Sequence, residues 1–424
     1  MNTTQRGAVR LSALLRKPVT DSGGGAIGKL SDVIVRLRGA DYPVVTGLVA
    51  TVGGRPVFVP AEQVAVLPTL RLTSARLSLR PFGRRDGEVL LRADVLGHRL
   101  IDVESAHLIR AADLELAEAD GEWMVTGVDT RRRSRRLLGG LTGVPAPGPL
   151  REWAKFEPLI GHTGSALSRY PLGRIRRLKP AQIADLLEAA SSAEESEILG
   201  QVHADPELEA DVFEELAEDR ASRLLGARTD EEAAQILARM RADDAADAID
   251  ELPQRRRQPV IDLLPPAQRA KVMTLMGFNP TSAGGLMGVD YVAIPAVATV
   301  SEALAVVAGA DTLQPEALTS VHALDKRGRL AGVARLVALV QADPQAALGE
   351  ICDSDPVRVG ADADVVDVAL LMSDYNLITI PVVDDHRKII GLITVDDVLE
   401  AALPEDWRRR EPADRPGSAD DEQE

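Results

Sequence analysis

From Leu178 to about Pro253 the chain repeats one short pattern, which narrows its fold more than any other feature. Signals that start a helix recur at a spacing of roughly 25 residues, at Lys179-Pro180, Asp205-Pro206, Thr229-Asp230 and near Pro253. Apolar residues return at helical spacing behind them: Ile183, Leu186 and Leu187, then Val212, Leu216, Leu224 and Leu225, then Ile236, Leu237 and Met240. Each segment is too short to bury its apolar face alone. Successive helices must stack, and a small superhelical solenoid buries all of those faces together.

The flanking sequence has other periods. From about Val9 to Leu70 short strands are divided by turns. Asp21-Ser22-Gly23-Gly24-Gly25 is one turn, and Val44–Thr51, Gly53-Gly54 and Pro56–Pro60 read as a hairpin. A second β unit runs from about Leu77 to Leu138, with strands near Val89–Leu91, His107–Arg110, Leu114–Ala119 and Trp123–Asp129 and a turn at Asp120-Gly121. Gly139 to about Leu172 is rich in Gly and Pro and reads as a linker. From Tyr291 strands and helices alternate in two units of roughly 60 residues each. The first has a helix at Val300–Ala308 and a strand at Gly332–Leu336. The second has a helix at Val365–Met372, strands at Thr379–Val383 and Ile389–Thr394, and a helix from Val395. Residues after Pro404 are charged and poor in apolar groups, which predicts a disordered tail.

Composition limits the function classes. The 424 residues leave room for several domains, and at 3% aromatics the core must be built from Leu, Val, Ile and Ala. A formal charge of −16 repels duplexes and anionic bilayers overall, and favours cations as small partners. Nucleic acid is therefore not an expected partner. The one cysteine, Cys352, excludes an internal disulfide or a thiolate-rich zinc site, and reads as a small buried apolar residue. Met1–Arg16 has no apolar core with a cleavage site, and no window is apolar for the roughly 20 residues that a spanning helix needs. A cytoplasmic location is the expectation. The histidines His98, His107, His162, His203, His322 and His386 fall in separate segments and form no catalytic or metal-binding pair, so no enzyme is predicted.

Three resemblances follow from specific residues. Leu11-Ser12-Ala13-Leu14-Leu15, Gly28-Lys29-Leu30-Ser31-Asp32-Val33, Val45-Thr46-Gly47-Leu48 and Val57-Phe58-Val59-Pro60 resemble a PRC-barrel domain. Val95-Leu96-Gly97, Ile101-Asp102-Val103 and Gly127-Val128-Asp129 resemble a second one more loosely. Ile380-Pro381-Val382-Val383-Asp384 followed by Gly391-Leu392-Ile393-Thr394-Val395-Asp396-Asp397-Val398 looks like a CBS motif. Helical repeats, then Gly284-Gly285-Leu286-Met287, then two CBS modules, is the order of the cytosolic part of MgtE magnesium channels. Asp243-Asp244-Ala245-Ala246-Asp247 and Glu251-Leu252-Pro253 also match that family's helical domain.

The resemblances imply a multidomain chain: N-terminal small β-barrels, a central all-α superhelical solenoid and a C-terminal α/β CBS pair. The expected limits are 1–72 and 73–140 for the two barrels, 141–177 for the linker and 178–285 for the helical domain. They continue with 286–346 for a degenerate first CBS module, 347–403 for the second and 404–424 for the tail. In the family the CBS pair leads into a membrane pore. Here it leads into the polar tail, so a soluble regulator is expected rather than a channel. Barrels of this kind dock partners, either a protein or a membrane protein, and CBS pairs associate in twos, so a homodimer is expected.

The helical region has 21 carboxylates and five arginines between Ala181 and Pro253, an excess equal to the charge of the whole chain. Asp211, Glu214, Glu215 and Glu218 share one spacing, and Asp243, Asp244, Asp247 and Glu251 another. Like charges three or four apart repel by a few tenths of a kcal/mol per pair, which is about 0.2–0.5. Magnesium takes oxygen ligands and keeps much of its water, so a scattered acidic face suits weak binding. A solvated face that serves solubility is the alternative reading of the same spacing.

The family resemblance makes Asp243, Asp244, Asp247 and Glu251 candidate magnesium residues, with Asp374 and the Asp396-Asp397 pair facing them from the CBS side. Asn376 stands where an acidic residue would give a stronger site. The resemblance also allows an adenine nucleotide at Thr394 and Asp397. The alternative is that Thr394 caps the following helix. In the first module Arg335 and Ala338 replace the Thr and Asp, so one nucleotide site at most is expected.

Arg131-Arg132-Arg133-Ser134-Arg135-Arg136 supports a rival reading, in which the barrels dock RNA, a protein or a membrane surface and no metal is sensed. A solvated edge is the plain alternative for this patch.

Overall fold

The structure, a computed structural model, describes residues 6–37, 42–73, 82–85, 87–119, 121–130, 150–159, 173–310, 313 and 315–403. The Arg131–Arg136 patch, His162 and the 404–424 tail lie outside them. The chain divides into two compact units, Met1–Leu216 and Ala217–Glu424.

The first unit begins with β1 (Arg6–Arg10), a single helical turn α1 (Leu11–Leu14), β2 (Pro18–Thr20), β3 (Ala26–Arg36), β4 (Val44–Val52), β5 (Arg55–Pro60), β6 (Val64–Val66) and β7 (Arg71–Leu72). It continues with β8 (Glu88–Leu90), β9 (Arg99–Asp102), β10 (His107–Arg110), β11 (Asp113–Ala119), β12 (Glu122–Asp129), β13 (Arg151–Glu152) and β14 (Phe156–Pro158). The β4–β5 hairpin turns at Gly53 and Gly54, both at positive φ (55° and 81°). Such a turn has the twist that antiparallel strands need.

The expected break at 72/73 is absent from the hydrogen bonding. One sheet runs β1-β11-β12-β4-β3-β2-β7-β6, with β13 on β12, β5 on β4 and β8 on β3. The first strand therefore pairs into the second half, Val9 opposite Leu116. One core serves both halves, with Leu14, Leu48 and Val59 packed together with Val95, Leu114 and Val125. Strand patterns identify strands, but they do not say which distant strand each will pair with.

The expected linker is also structured where it is described. β13 pairs with β12, β14 joins the β10-β9-β14 sheet, and Trp153 and Phe156 lie in the core, 1% and 0% exposed. Gly and Pro dominate the neighbouring sequence, but two large buried aromatics outweigh that local composition.

Three helices complete this unit: α2 (Pro180–Ala189), α3 (Ser192–Val202) and α4 (Pro206–Glu214). Pro180 occupies the first turn of α2, and Ser191 with Glu194 forms a capping box on α3. The Arg99 guanidinium on β9 pairs with Glu194, and its Nε donates to Oε1 at 2.8 Å. Arg174, wholly buried, donates from Nη1 to the Phe156 carbonyl at 2.8 Å and pairs with Glu157 at 3.8 Å. These contacts tie the helices to the small sheet.

The second unit starts with α5 (Glu218–Gly226), α6 (Asp230–Leu237), α7 (Ala242–Asp250), α8 (Gln254–Leu263) and α9 (Pro266–Leu275). α7 packs on α5, α8 and α9, and α6 packs on α8. Short helices leave a high proportion of end carbonyls to satisfy, and later side chains reach back to do it. Arg256 donates to the carbonyls of Leu225, Gly226 and Arg228, and Gln268 to those of Leu237 and Met240. Thr229 and Glu232 form the capping box that opens α6.

A one-turn helix, α10 (Ala283–Leu286), carries the Gly284-Gly285-Leu286-Met287 motif. A Cβ on Gly285 would meet the Asn279 carbonyl oxygen and the Pro280 Cα at 2.6 Å, so only glycine fits this turn. Beyond it come β15 (Ala293–Pro295), α11 (Val300–Ala308), β16 (Ser320–Leu324), β17 (Leu330–Arg335), α12 (Leu336–Gln341) and α13 (Leu348–Ile351). The last elements are β18 (Val359–Gly360), α14 (Val365–Tyr375), β19 (Thr379–Val383), β20 (Ile389–Thr394) and α15 (Val395–Ala402).

β15-β16-β17 and β18-β19-β20 are matching three-stranded sheets, so the two α/β modules share one strand order. Asp325 and Asp384 each accept two backbone N–H groups in their β-turns. The modules also exchange their leading segments. Gly288 bridges to Leu392 of the second module, and Asp353 bridges to Val333 of the first. Gly391 leaves space for Met287, and Gly332 for Cys352. Cys352 is half-buried, and burial pushes its thiol up to about 11.

Candidate functional site

The acidic tract lies on α7. Ala245, Ala246, Ala248 and Ile249 are buried, which turns Asp243, Asp244 and Asp247 toward the other side of the helix. α15 is the last helix of the second α/β module. Thr394 caps it: its Oγ1 accepts from the Asp397 amide at 3.3 Å, and Asp397 Oδ2 accepts from the Thr394 amide at 2.8 Å and from its hydroxyl at 2.9 Å. This box fixes the Asp397 side chain, which is 9% exposed.

Arg241, immediately before α7, joins the two helices. Its Nε donates to Asp244 Oδ2 at 2.5 Å, and its Nη1 lies 3.4 Å from Asp397 Oδ1. Asp243, half-buried, is raised above the usual carboxylate range by burial. Arg241 and two backbone amides oppose that shift, while the charge of Asp290 adds to it. Asp247 keeps one flank open to solvent, yet the protein around it pushes its carboxyl up to about 7. Loss of solvation leads, followed by the charges of Glu218, Asp243, Asp250 and Glu400. Burial pushes Asp397 up to about 6, Asp243 adds to the shift, and Thr394 and Arg241 hold it back.

The structure therefore brings Asp243, Asp244, Asp247 and Asp397 together, and adds Glu218, Asp290, Glu400 and Arg241. The sequence grouped Glu218 with Asp211, Glu214 and Glu215 on one helix face, but α4 ends at Glu214 and Glu218 opens α5. Arg241 is marked in the sequence as the cation two residues ahead of the Asp243-Asp244 pair. Glu400 lies one helical turn beyond Asp397, where the same face recurs. Glu251, Asp374 and Asp396 are exposed. Glu251 ends α7, and its backbone carbonyl accepts from Ser222 Oγ at 2.9 Å. Among the described residues no group of three or more His, Cys, Asp or Glu side chains is arranged to hold a metal ion directly. Oxygen-only donors, crowded and short of countercharge, fit a hydrated divalent ion held through one or two carboxylates and do not fit a cage.

Residues 178–281 match the family of the MgtE intracellular N domain, and residues 348–404 match the CBS domain family. The magnesium transporter MgtE of Thermus thermophilus is 38% identical over 154 residues, which are 36% of this chain and 34% of that protein. MgtE of Enterococcus faecalis is 27% identical over 133 residues, 31% of this chain and 29% of that protein. The chain thus spans about a third of the length of these curated relatives. A crystal structure of the cytosolic domain of the Mg2+ channel MgtE in complex with ATP is similar at a TM-score of 0.51 and 29% identity. It covers 57% of this chain and 94% of that one. The helical and α/β regions are homologous to the MgtE cytosolic region. No helix among the described residues is long and apolar enough to cross a membrane.

Proposed function

We propose that this protein is a magnesium-responsive regulator in which Mg2+ bridges the acidic faces of the helical array and the second CBS module, while the N-terminal β body docks a protein partner. The convergence of Asp243 and Asp247 on α7 with Asp397 and Glu400 on α15 carries this reading. Bound magnesium would supply two positive charges and ordered water. Asp247 and Asp397 would hold it through that water, Asp243 would add its charge, and Thr394 would keep Asp397 aimed at α7. When these carboxylates are uncompensated they repel, and α7 and α15 are driven apart.

Several further features support the wider reading. Val306, Val337, Val340, Val366, Leu370 and Leu399 are exposed on helices of the CBS pair, which suits a second copy of the chain. Thr394 and Asp397 are committed to each other as a helix cap, so an adenine nucleotide would have to reach them without breaking that box. No catalytic role is proposed, and the location proposed is the cytoplasm.

The test is thermal unfolding of the full chain in MgCl2 against KCl of equal ionic strength. Site binding at ten times the dissociation constant adds about 1.4 kcal/mol of stability. The midpoint should rise with MgCl2 alone, and D243N/D247N should lose that rise. An equal shift in KCl would contradict the proposal.

A further inference from the structure

Arg241 sits where a helix does not favour it. As the residue before α7 it places a cation at the positive end of the helix dipole, and an arginine cannot accept the hydrogen bond that caps a helix start. Its guanidinium instead spans Asp244 on its own helix and Asp397 on α15. A second cation, Lys271, has its Nζ 2.7 Å from both oxygens of Asp290, the residue whose charge bears on Asp243. The acidic contact thus contains cations that belong to the chain.

We propose that Arg241 is a tethered counter-cation that latches α7 to α15 before any metal arrives, so that divalent ions complete a contact already half-neutralised. The latch itself stands on the Arg241 ion pairs, and its completion by divalent ions rests on the reading of this cluster as the magnesium-responsive contact. A guanidinium stays charged at every physiological pH and cannot be diluted away. A short tether gives it an effective concentration on the order of millimolar, comparable to the free concentrations at which weak magnesium sites fill. Arg241 therefore sets how much metal the closed form requires, and a chain without it would depend on divalent ions for closure.

The experiment is amide hydrogen exchange on the full chain, with and without MgCl2, for wild type, R241Q and R255Q. Arg255 is an exposed residue of α8 and serves as the charge-matched control. R241Q should raise exchange of residues 242–250 and 395–402 by about tenfold or more in metal-free buffer, and R255Q should not. If MgCl2 then restores protection, latch and magnesium reading both stand. If it does not, the latch stands and the magnesium reading fails. Wild-type protection in metal-free R241Q, or equal loss in R255Q, would overturn the latch whatever magnesium does. Exchange at Val260 and Ile261 reports whether the helical array stays folded. If R241Q unfolds it, the comparison moves to D397N, which removes the partner and keeps the arginine: the latch requires raised exchange of residues 242–250 in metal-free buffer, and wild-type protection there overturns it.

Discussion

Arg241 Nη1 lies 3.4 Å from Asp397 Oδ1, an ion pair between residues 156 positions apart in the chain. It joins the acidic helix of the helical array to the last helix of the region that matches the CBS domain family. Around it, carboxylates outnumber cations. The predictions below follow from that imbalance and from the packing that holds it in place.

Removing one negative charge should relieve the cluster. Asp247→Asn takes away the carboxyl that four neighbouring acids disfavour, with little change in volume. In metal-free buffer at pH 8 the second unit should gain on the order of 1 kcal/mol, a modest figure because one flank of Asp247 is open to water. Its response to magnesium should shrink. Chemical denaturation with and without MgCl2 checks both.

The pH dependence has two contributions of opposite sign. Asp247, at about 7, and Asp397, at about 6, bind a proton more tightly folded than unfolded. Their contribution is fully present below about pH 4 and is lost progressively as pH rises from there to 6 for Asp397 and to 7 for Asp247. His322 is fully buried and pushed down to about 4 by that burial, so the unfolded chain takes its proton first. The His322 contribution should therefore fall as pH drops from 6.5 to 4, by on the order of 3 kcal/mol, offsetting part of what the two carboxyls gain over the same range. With two carboxyls set against one imidazole, the metal-free stability of the second unit should decline as pH rises from about 4 to 7. H322F should remove that offset, so that denaturation measured across pH 4 to 6.5 shows a steeper decline than wild type.

The turn that carries α10 should tolerate no side chain at Gly285. Gly285→Ala forces a methyl against the Asn279 carbonyl and Pro280, both rigid backbone, and should cost about 1–3 kcal/mol. Gly391→Ala meets only the flexible Met287 side chain and should cost less. Paired thermal melts of the two variants give the order.

Trp153→Ala tests whether the segment after residue 150 belongs to the β body. Loss of a fully buried tryptophan should destabilise the first unit by about 3–5 kcal/mol, where a linker residue would cost almost nothing. Denaturation followed at that unit's amides distinguishes them.

The helices and the CBS strands were legible because each is written locally. Prolines and capping residues mark the starts, and period marks the faces. β19 and β20 fall on the expected residues, Thr379–Val383 and Ile389–Thr394. β16 carries no such local signature, because His322 interrupts the apolar run of Ser320–Leu324. Pairing was not legible: nothing near Val9 announces Leu116, and nothing near Gly288 announces Leu392. The site divides in the same way. Asp243, Asp244 and Asp247 stand out as an acidic tract. Arg241 gains its meaning only when α15 arrives beside it, and Asp374 and Asp396 share the composition without the position.

The measurement that bears most directly on the central claim is small-angle scattering of the full chain. Magnesium would be titrated over roughly 0.1–20 mM, a range suited to a weak hydrated site, against KCl of matched ionic strength. The account predicts a compaction specific to magnesium that D243N/D247N abolishes. A radius that follows ionic strength alone, identical in wild type and variant, would contradict it.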